Sequence, residues 1–244
     1  MLGLPFLFFI VALLYSLVGF GGGSSYIALL ALFNVPYQSI PQVALVCNLI
    51  VVAGGAIHFI RKGYFSFPLF WPFILGSIPL AFLGGRIPVS KEVFYILLGL
   101  SLVIAGLRLF LFNKLTNYEN VEKPNWKLGI AVGGILGLLS GMVGIGGGIF
   151  LAPILLNLRW GKPKQVAATA SLFIFVNSIS GLSGQIIKTG SLINISSYWP
   201  LFLAVLLGGQ IGSSLGSGKV VSHSWIRSLT AALVLFVGIR LLLK

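Results

Sequence analysis

The chain alternates long apolar runs with short polar connections, and two of those runs are broken from within. Leu4 to Leu17 is apolar, and the pattern resumes from Ser24 to Phe33; between them lies Val18-Gly19-Phe20-Gly21-Gly22-Gly23. Leu128 to Asn157 carries the same interruption as Val143-Gly144-Ile145-Gly146-Gly147-Gly148. The remaining runs predict helices over 41–60, 67–83, 93–112, 165–187, 198–215 and 225–243, with Pro68, Pro72 and Pro79 predicting bends. Only 113–127, with Glu119, Glu122, Lys123 and Pro124, has the composition of a solvated loop.

The second half retraces the first. Gln42-Val43-Ala44 answers Gln165-Val166-Ala167, and Trp71-Pro72 answers Trp199-Pro200. The expectation is an all-α integral membrane protein built from two homologous repeats of four helical segments, 1–112 and 128–244, joined by the 113–127 linker. The first segment of each repeat is glycine-broken. Glycine costs about 1 kcal/mol against alanine inside a helix, and irregular backbone at membrane depth persists only when buried or lining a cavity.

Each half of the first broken segment reaches about 20 Å as a helix, short of a hydrocarbon core of about 30 Å. It either crosses once as a bent helix, giving parallel repeats, or returns as a re-entrant hairpin, giving inverted ones. Full crossings divide the basic residues nine against seven. Re-entrant hairpins put Arg61, Lys62, Arg108, Lys114, Lys123, Lys127, Arg159, Lys162, Lys164, Lys219 and Arg227 on one side, eleven against five. The inverted arrangement is favoured because basic loops stay cytoplasmic. The linker is then cytoplasmic and both termini lie outside.

Composition narrows the class. The chain is 57% hydrophobic and 8% charged, against about 25% charged for a soluble domain. The net charge of +13 comes from bases scattered between apolar runs, not from a basic face suited to nucleic acid. One cysteine, Cys47, excludes an internal disulfide and a cysteine-rich metal site. The first 33 residues lack a basic n-region and a clear cleavage site, and read as mature protein. No cofactor, metal or catalytic residue is expected. The bilayer and a small anion are the expected partners; a homo-oligomer is compatible with the sequence.

The glycine motifs do not fit a dinucleotide fingerprint, because Ser24 and Ile149 stand where the third glycine belongs. They fit either close helix packing or the uncapped start of a half-helix, whose free N–H groups attract an anion. In an inverted pair the two half-helix starts approach each other at the midplane. The candidate substrate-binding residues are Gly21, Gly22, Gly23, Ser24, Asn48, Gly146, Gly147, Gly148, Thr169 and Ser171, with Asn48 and Ser171 equivalent between repeats. No carboxylate lies inside a predicted span, which argues against a cation site. His58 near a span end reads as interfacial, and His223 as solvated. Gly181-Leu182-Ser183-Gly184 resembles the G-x-S-G of intramembrane serine proteases, a rival reading that would require Ser183 to meet His58.

The paired V-G-x-G-G-G motifs, Pro153, and the stretch Gln165-Val166-Ala167-Ala168-Thr169-Ala170-Ser171-Leu172 resemble the TauE/SafE family of sulfite or sulfonate exporters and related permeases. The resemblance spans nearly the whole chain and implies a secondary transporter of a small organosulfur anion in the inner membrane. An anion channel of the same architecture and an intramembrane hydrolase are the alternatives. The first repeat departs from the pattern: Ala28 replaces the proline, and Leu45-Val46-Cys47-Asn48 replaces Ala-Thr-Ala-Ser. The two half-sites are therefore expected to bind unequally.

Overall fold

The computed structural model describes residues 3–17, 20–111, 121–191, 195–218 and 224–243. Val18, Gly19, His223 and most of the linker lie outside them. The broken segments are separate helices: α1 (Gly3–Ser16) and α2 (Gly23–Leu32) in the first half, α6 (Trp126–Val143) and α7 (Gly148–Asn157) in the second. The others are α3 (Ile40–Arg61), α4 (Phe67–Arg86), α5 (Lys91–Leu111), α8 (Pro163–Thr189), α9 (Trp199–Gly218) and α10 (Ser224–Leu242). Among the described residues, α3, α4, α6 and α8 are long and apolar enough to cross a membrane. Counting each break as a division gives five helices per half, one more than the four segments expected.

Some ends differ from the sequence expectation because tertiary contacts outweigh local propensity. The loop expected over 84–91 starts only after Arg86. Gly84 and Gly85 stay helical because their bare Cα atoms receive Leu138 of α6 and Gly181 of α8. Pro72 and Pro79 lie inside this continuous helix. Trp126 and Lys127, expected in the linker, form the first turn of α6. The Asn125 side chain caps it, accepting from the N–H of Lys127 at 3.1 Å and of Leu128 at 3.3 Å. Helix α9 likewise continues to Gly218 rather than ending at 215.

Residue contacts fix the helix directions. Gly129 faces Pro72, Gly133 Phe73, Gly137 Ser77 and Gly141 Ala81, so α6 runs parallel to α4. Ser180 donates to the Ile78 carbonyl at 2.6 Å and Gly184 faces Phe82, so α8 is parallel to α4 as well. Helix α3 is antiparallel to α8, with Gln42 at Thr189, Leu45 at Gly181 and Gly55 at Ser171. Gly99 faces Leu242 and Gly106 faces Leu235, which makes α5 and α10 antiparallel. Gly208 faces Phe9 and Gly212 faces Leu13 and Ser16, which makes α1 and α9 parallel.

Helices α4 and α5 are joined by 87–90, which reach at most about 14 Å against about 30 Å for a 20-residue helix, so this pair runs up and down. Gly209 lies against Val51 and Gln210 against Gly54, so α9 runs with α3. Helices α1, α3, α5 and α9 therefore point one way and α4, α6, α8 and α10 the other. Helices α1, α3, α4 and α5 of the first half thus oppose α6, α8, α9 and α10 of the second.

Between α1 and α3 the chain has to come back, and α2 is the returning piece. Its start at Gly23 lies against Asn48, about 12 Å along α3. Its end is a few residues before α3 begins. Helix α7 returns in the same way, starting against Ala170 and Ile174 of α8. The pairings also exchange between halves: α1 packs on α9 and α6 on α4, α2 meets α10 and α7 meets α5. Helices α3 and α8 cross at the centre.

Candidate functional site

The site forms where the two breaks meet. Gly22 precedes α2 with φ 82° and Gly147 precedes α7 with φ 77°. Both are in the left-handed region that glycine enters without a Cβ penalty. Neither helix start receives a side-chain cap. The N–H groups of Ser25 and Tyr26 turn back to the Gly22 carbonyl, both at 3.0 Å, as those of Phe150 and Leu151 do to Gly147 at 3.2 and 3.1 Å. The first N–H groups of each helix, on Gly23 and Ser24 and on Gly148 and Ile149, have no earlier carbonyl in their own helix. Two uncapped, partially positive helix ends thus face the same interior region.

Asn48 ties the breaks together. It is fully buried, and its amide Nδ2 donates to the carbonyls of Ile145 at 3.3 Å and Gly144 at 3.5 Å. That fixes the amide, since the reverse orientation would oppose its oxygen to two carbonyls. Oδ1 then points at the first break, 2.8 Å from where a Gly21 Cβ would sit, and has no hydrogen-bond partner. A Cβ on Gly23 would run into the Ile145 carbonyl, and one on Gly146, at φ 83°, would lie 2.8 Å from Asn48 Nδ2. The two breaks and the Asn48 side chain meet here at a spacing that only glycine allows.

A cavity of about 10 Å³ lies at this junction, lined by Tyr15, Phe20, Gly21, Gly22, Gly23, Ser24, Ile145, Ile149 and Ile174. It has room for about one water. The Ser24 hydroxyl, 2% exposed, has no hydrogen-bond partner and lines it. Beside it the Tyr15 and Ser25 hydroxyls bond each other at 2.8 Å.

Of the residues expected from sequence, Gly21, Gly22, Gly23, Ser24, Asn48 and Gly146 come together at this junction. Gly147 builds the turn, with its open side toward Phe173, and Gly148 packs on Ile174. Ser171 is held elsewhere: its hydroxyl donates to Ala167 of its own helix at 2.9 Å, and it faces Gly55 across the α3–α8 seam. Thr169 is fully buried, with no hydrogen-bond partner for its hydroxyl. Nothing links it to the breaks. Tyr15, Phe20, Ile145, Ile149 and Ile174 were not among the expected residues. The isoleucines are indistinguishable in sequence from ordinary core.

Ser183 donates to Ile179 at 2.9 Å, and His58 Nδ1 bonds the Gly54 carbonyl at 2.8 Å. Because α3 and α8 are antiparallel, with Gly55 beside Ser171, His58 and Ser183 stand about 20 Å apart along the seam. No serine–histidine pair exists there. Among the described residues no three His, Cys, Asp or Glu gather as a metal site.

A family profile described as "Sulfite exporter TauE/SafE" matches residues 4–241. The chain is 34% identical to the probable membrane transporter protein y4hK of Sinorhizobium fredii over 244 residues, 99% of this chain and 98% of that one. It is 25% identical to the probable membrane transporter protein YunE of Bacillus subtilis over 229 residues, covering 83% and 82%. No solved structure matches.

Proposed function

The chain belongs to the sulfite exporter TauE/SafE family, and from that premise we propose a secondary transporter exporting sulfite or a small organosulfonate across the cytoplasmic membrane. That it is a membrane transporter and not an enzyme rests on the family and the relatives. The observation that carries the anion reading is the meeting of two uncapped helix starts at Asn48, beside a cavity lined by Ser24, whose buried hydroxyl has no partner. Backbone N–H groups and a hydroxyl suit an oxyanion, and each charge-assisted bond contributes about 1.5–3 kcal/mol.

The anion would sit in an enlarged form of the present cavity, reached alternately from each side. The opposed directions of the two halves support inverted repeats, a common plan among carriers with their site at the repeat interface. A channel of this architecture would need a continuous path, whereas the cavity at the junction measures about 10 Å³. In proteoliposomes, uptake of labelled sulfite should saturate and be accelerated by unlabelled sulfite on the far side. Linear, non-exchanging flux would make it a channel.

Orientation follows from the bases. The face where α3 ends and α8 begins carries Arg61, Lys62, Lys123, Lys127, Arg159, Lys162 and Lys164; the opposite face carries Arg86, Lys91, Lys188 and Arg240. Among the residues whose side chains are described, seven bases against four support a cytoplasmic first face. Cysteine at Lys123 should be labelled only from the cytoplasm and cysteine at Lys91 only from outside, each in a Cys47→Ala background. Labelling of both from one side contradicts the assignment.

A further inference from the structure

An anion cannot enter the junction unless the surrounding helices part, and the bonds that hold α3 to α8 show where. The two helices cross antiparallel; α3 touches both breaks through Asn48, and α8 touches the second through Ala170 and Ile174. Between its ends, toward Lys164, the seam has room for one more methyl: at Gly55 a Cβ would stand 4.0 Å from the Ser171 hydroxyl. Each end is closed by one polar contact from a side chain at the start of one helix to the end of the other. At the outer end Gln42 Nε2 donates to Thr189 Oγ1 at 3.0 Å, with the Ser191 carbonyl at 3.4 Å. At the cytoplasmic end Lys164 Nζ donates to Tyr64 OH at 3.1 Å and lies 4.9 Å from the centre of that ring.

The backbone at the two contacts is alike. Tyr64 follows Gly63 at φ 72° and Thr189 precedes Gly190 at φ 74°. Nothing lies within 4 Å of a Cβ position on either glycine. Each helix thus ends in a left-handed glycine in open space, next to the residue that makes the contact. The Tyr64 ring packs edge-on against Phe59, with centroids 6.4 Å apart, and the Thr189 hydroxyl donates to the carbonyl of Gln185 at 2.9 Å or Ser191 at 2.7 Å. Each contact residue is therefore held by its own helix end, while the glycine beside it can turn without a steric clash.

Resting on the carrier reading above, we propose that Lys164–Tyr64 and Gln42–Thr189 are the two gates of the transport path, the first opening the glycine junction to the cytoplasm and the second to the outside. With both contacts made, the junction is occluded. Breaking one favours the state open on that side and depletes the state open on the other, because the populations share one equilibrium.

The test reads sidedness, not flux. Ser24→Cys in a Cys47→Ala background places a thiol in the cavity wall, and Phe20→Cys provides a second reporter should the first fail to fold. Labelling by a membrane-impermeant thiosulfonate is timed from each side of full-length protein in sealed vesicles. Tyr64→Phe should speed cytoplasmic labelling about fivefold, the shift expected for one lost hydrogen bond, and slow labelling from outside. Lys164→Ala, which also loses the ring contact, should do more. Gln42→Ala should do the reverse. Gates are overturned if both sets of variants change labelling on the same side, or if neither changes it on either reporter. Since labelling is read without any anion, gating can fail while sulfite binding persists, and the reverse outcome would discard the substrate and keep the gates.

Discussion

Gly23→Ala is expected to abolish anion binding and to destabilise the protein by about 1–3 kcal/mol, the cost of forcing a methyl into a packed interior. The added carbon would meet the Ile145 carbonyl and lie 2.6 Å from Asn48 Nδ2. Neither neighbour is the far end of a flexible side chain. Ile145 is held by the turn at Gly144 and Gly146, at φ 90° and 83°, and Asn48 is held by its two carbonyls. The methyl must therefore push the first break from the second, separating the two helix ends that are to share an anion. Gly3→Ala is the control, because nothing lies within 4 Å of its Cβ position. Thermal unfolding in detergent and equilibrium binding of sulfite measure the two effects; unchanged binding by Gly23→Ala would mean that the breaks need not touch.

Asn48→Asp should be more damaging still. The change is nearly isosteric, but an oxygen replaces the nitrogen that donates to Gly144 and Ile145. Ionised, the carboxylate is a buried charge facing two carbonyls, worth several kcal/mol of destabilisation. It would also repel an anion from both helix ends. Protonated, it recovers one donor in place of two. Asn48→Ala is the milder companion, leaving two carbonyls short of a donor at about 1–3 kcal/mol. Transport by Asn48→Asp should be undetectable, and Asn48→Ala should retain the fold with at least a tenfold loss of affinity. Wild-type transport by Asn48→Asp would show that the amide is not the clamp described.

The broken helices are legible in the sequence because four glycines in six positions weaken a helix that the flanking apolar runs would otherwise continue. The meeting of the breaks follows from the same pattern, once the bases are assigned to sides. Asn48 stands out as the polar residue in the middle of its span, with Gln42 and His58 near the ends. Ser171 shares its position in the alignment of the halves but not its environment. Alignment carries a residue number, not the direction of a hydroxyl, and Ala167 one turn earlier satisfies that hydroxyl. The cavity walls from Ile145, Ile149 and Ile174 are hidden in the sequence because an apolar lining and an apolar core have the same composition. The helical course of Gly84 and Gly85 is equally hidden, since what stabilises it is α6 and α8 packed against their bare faces.

Ser24 separates a binding role from a structural one more cleanly than any other residue here. Its hydroxyl is buried without a partner, so Ser24→Ala removes an unsatisfied group and should leave stability unchanged or slightly raised. If the hydroxyl donates to the anion, the same change costs about 1.5–3 kcal/mol of binding, roughly 10- to 150-fold in affinity. The decisive measurement is sulfite and alkylsulfonate binding to purified, monodisperse wild type and Ser24→Ala, with unfolding temperatures recorded on the same samples. Weakened binding at undiminished stability is the predicted result. Equal affinity of the two proteins for every anion bound would contradict an anion site at the paired helix starts.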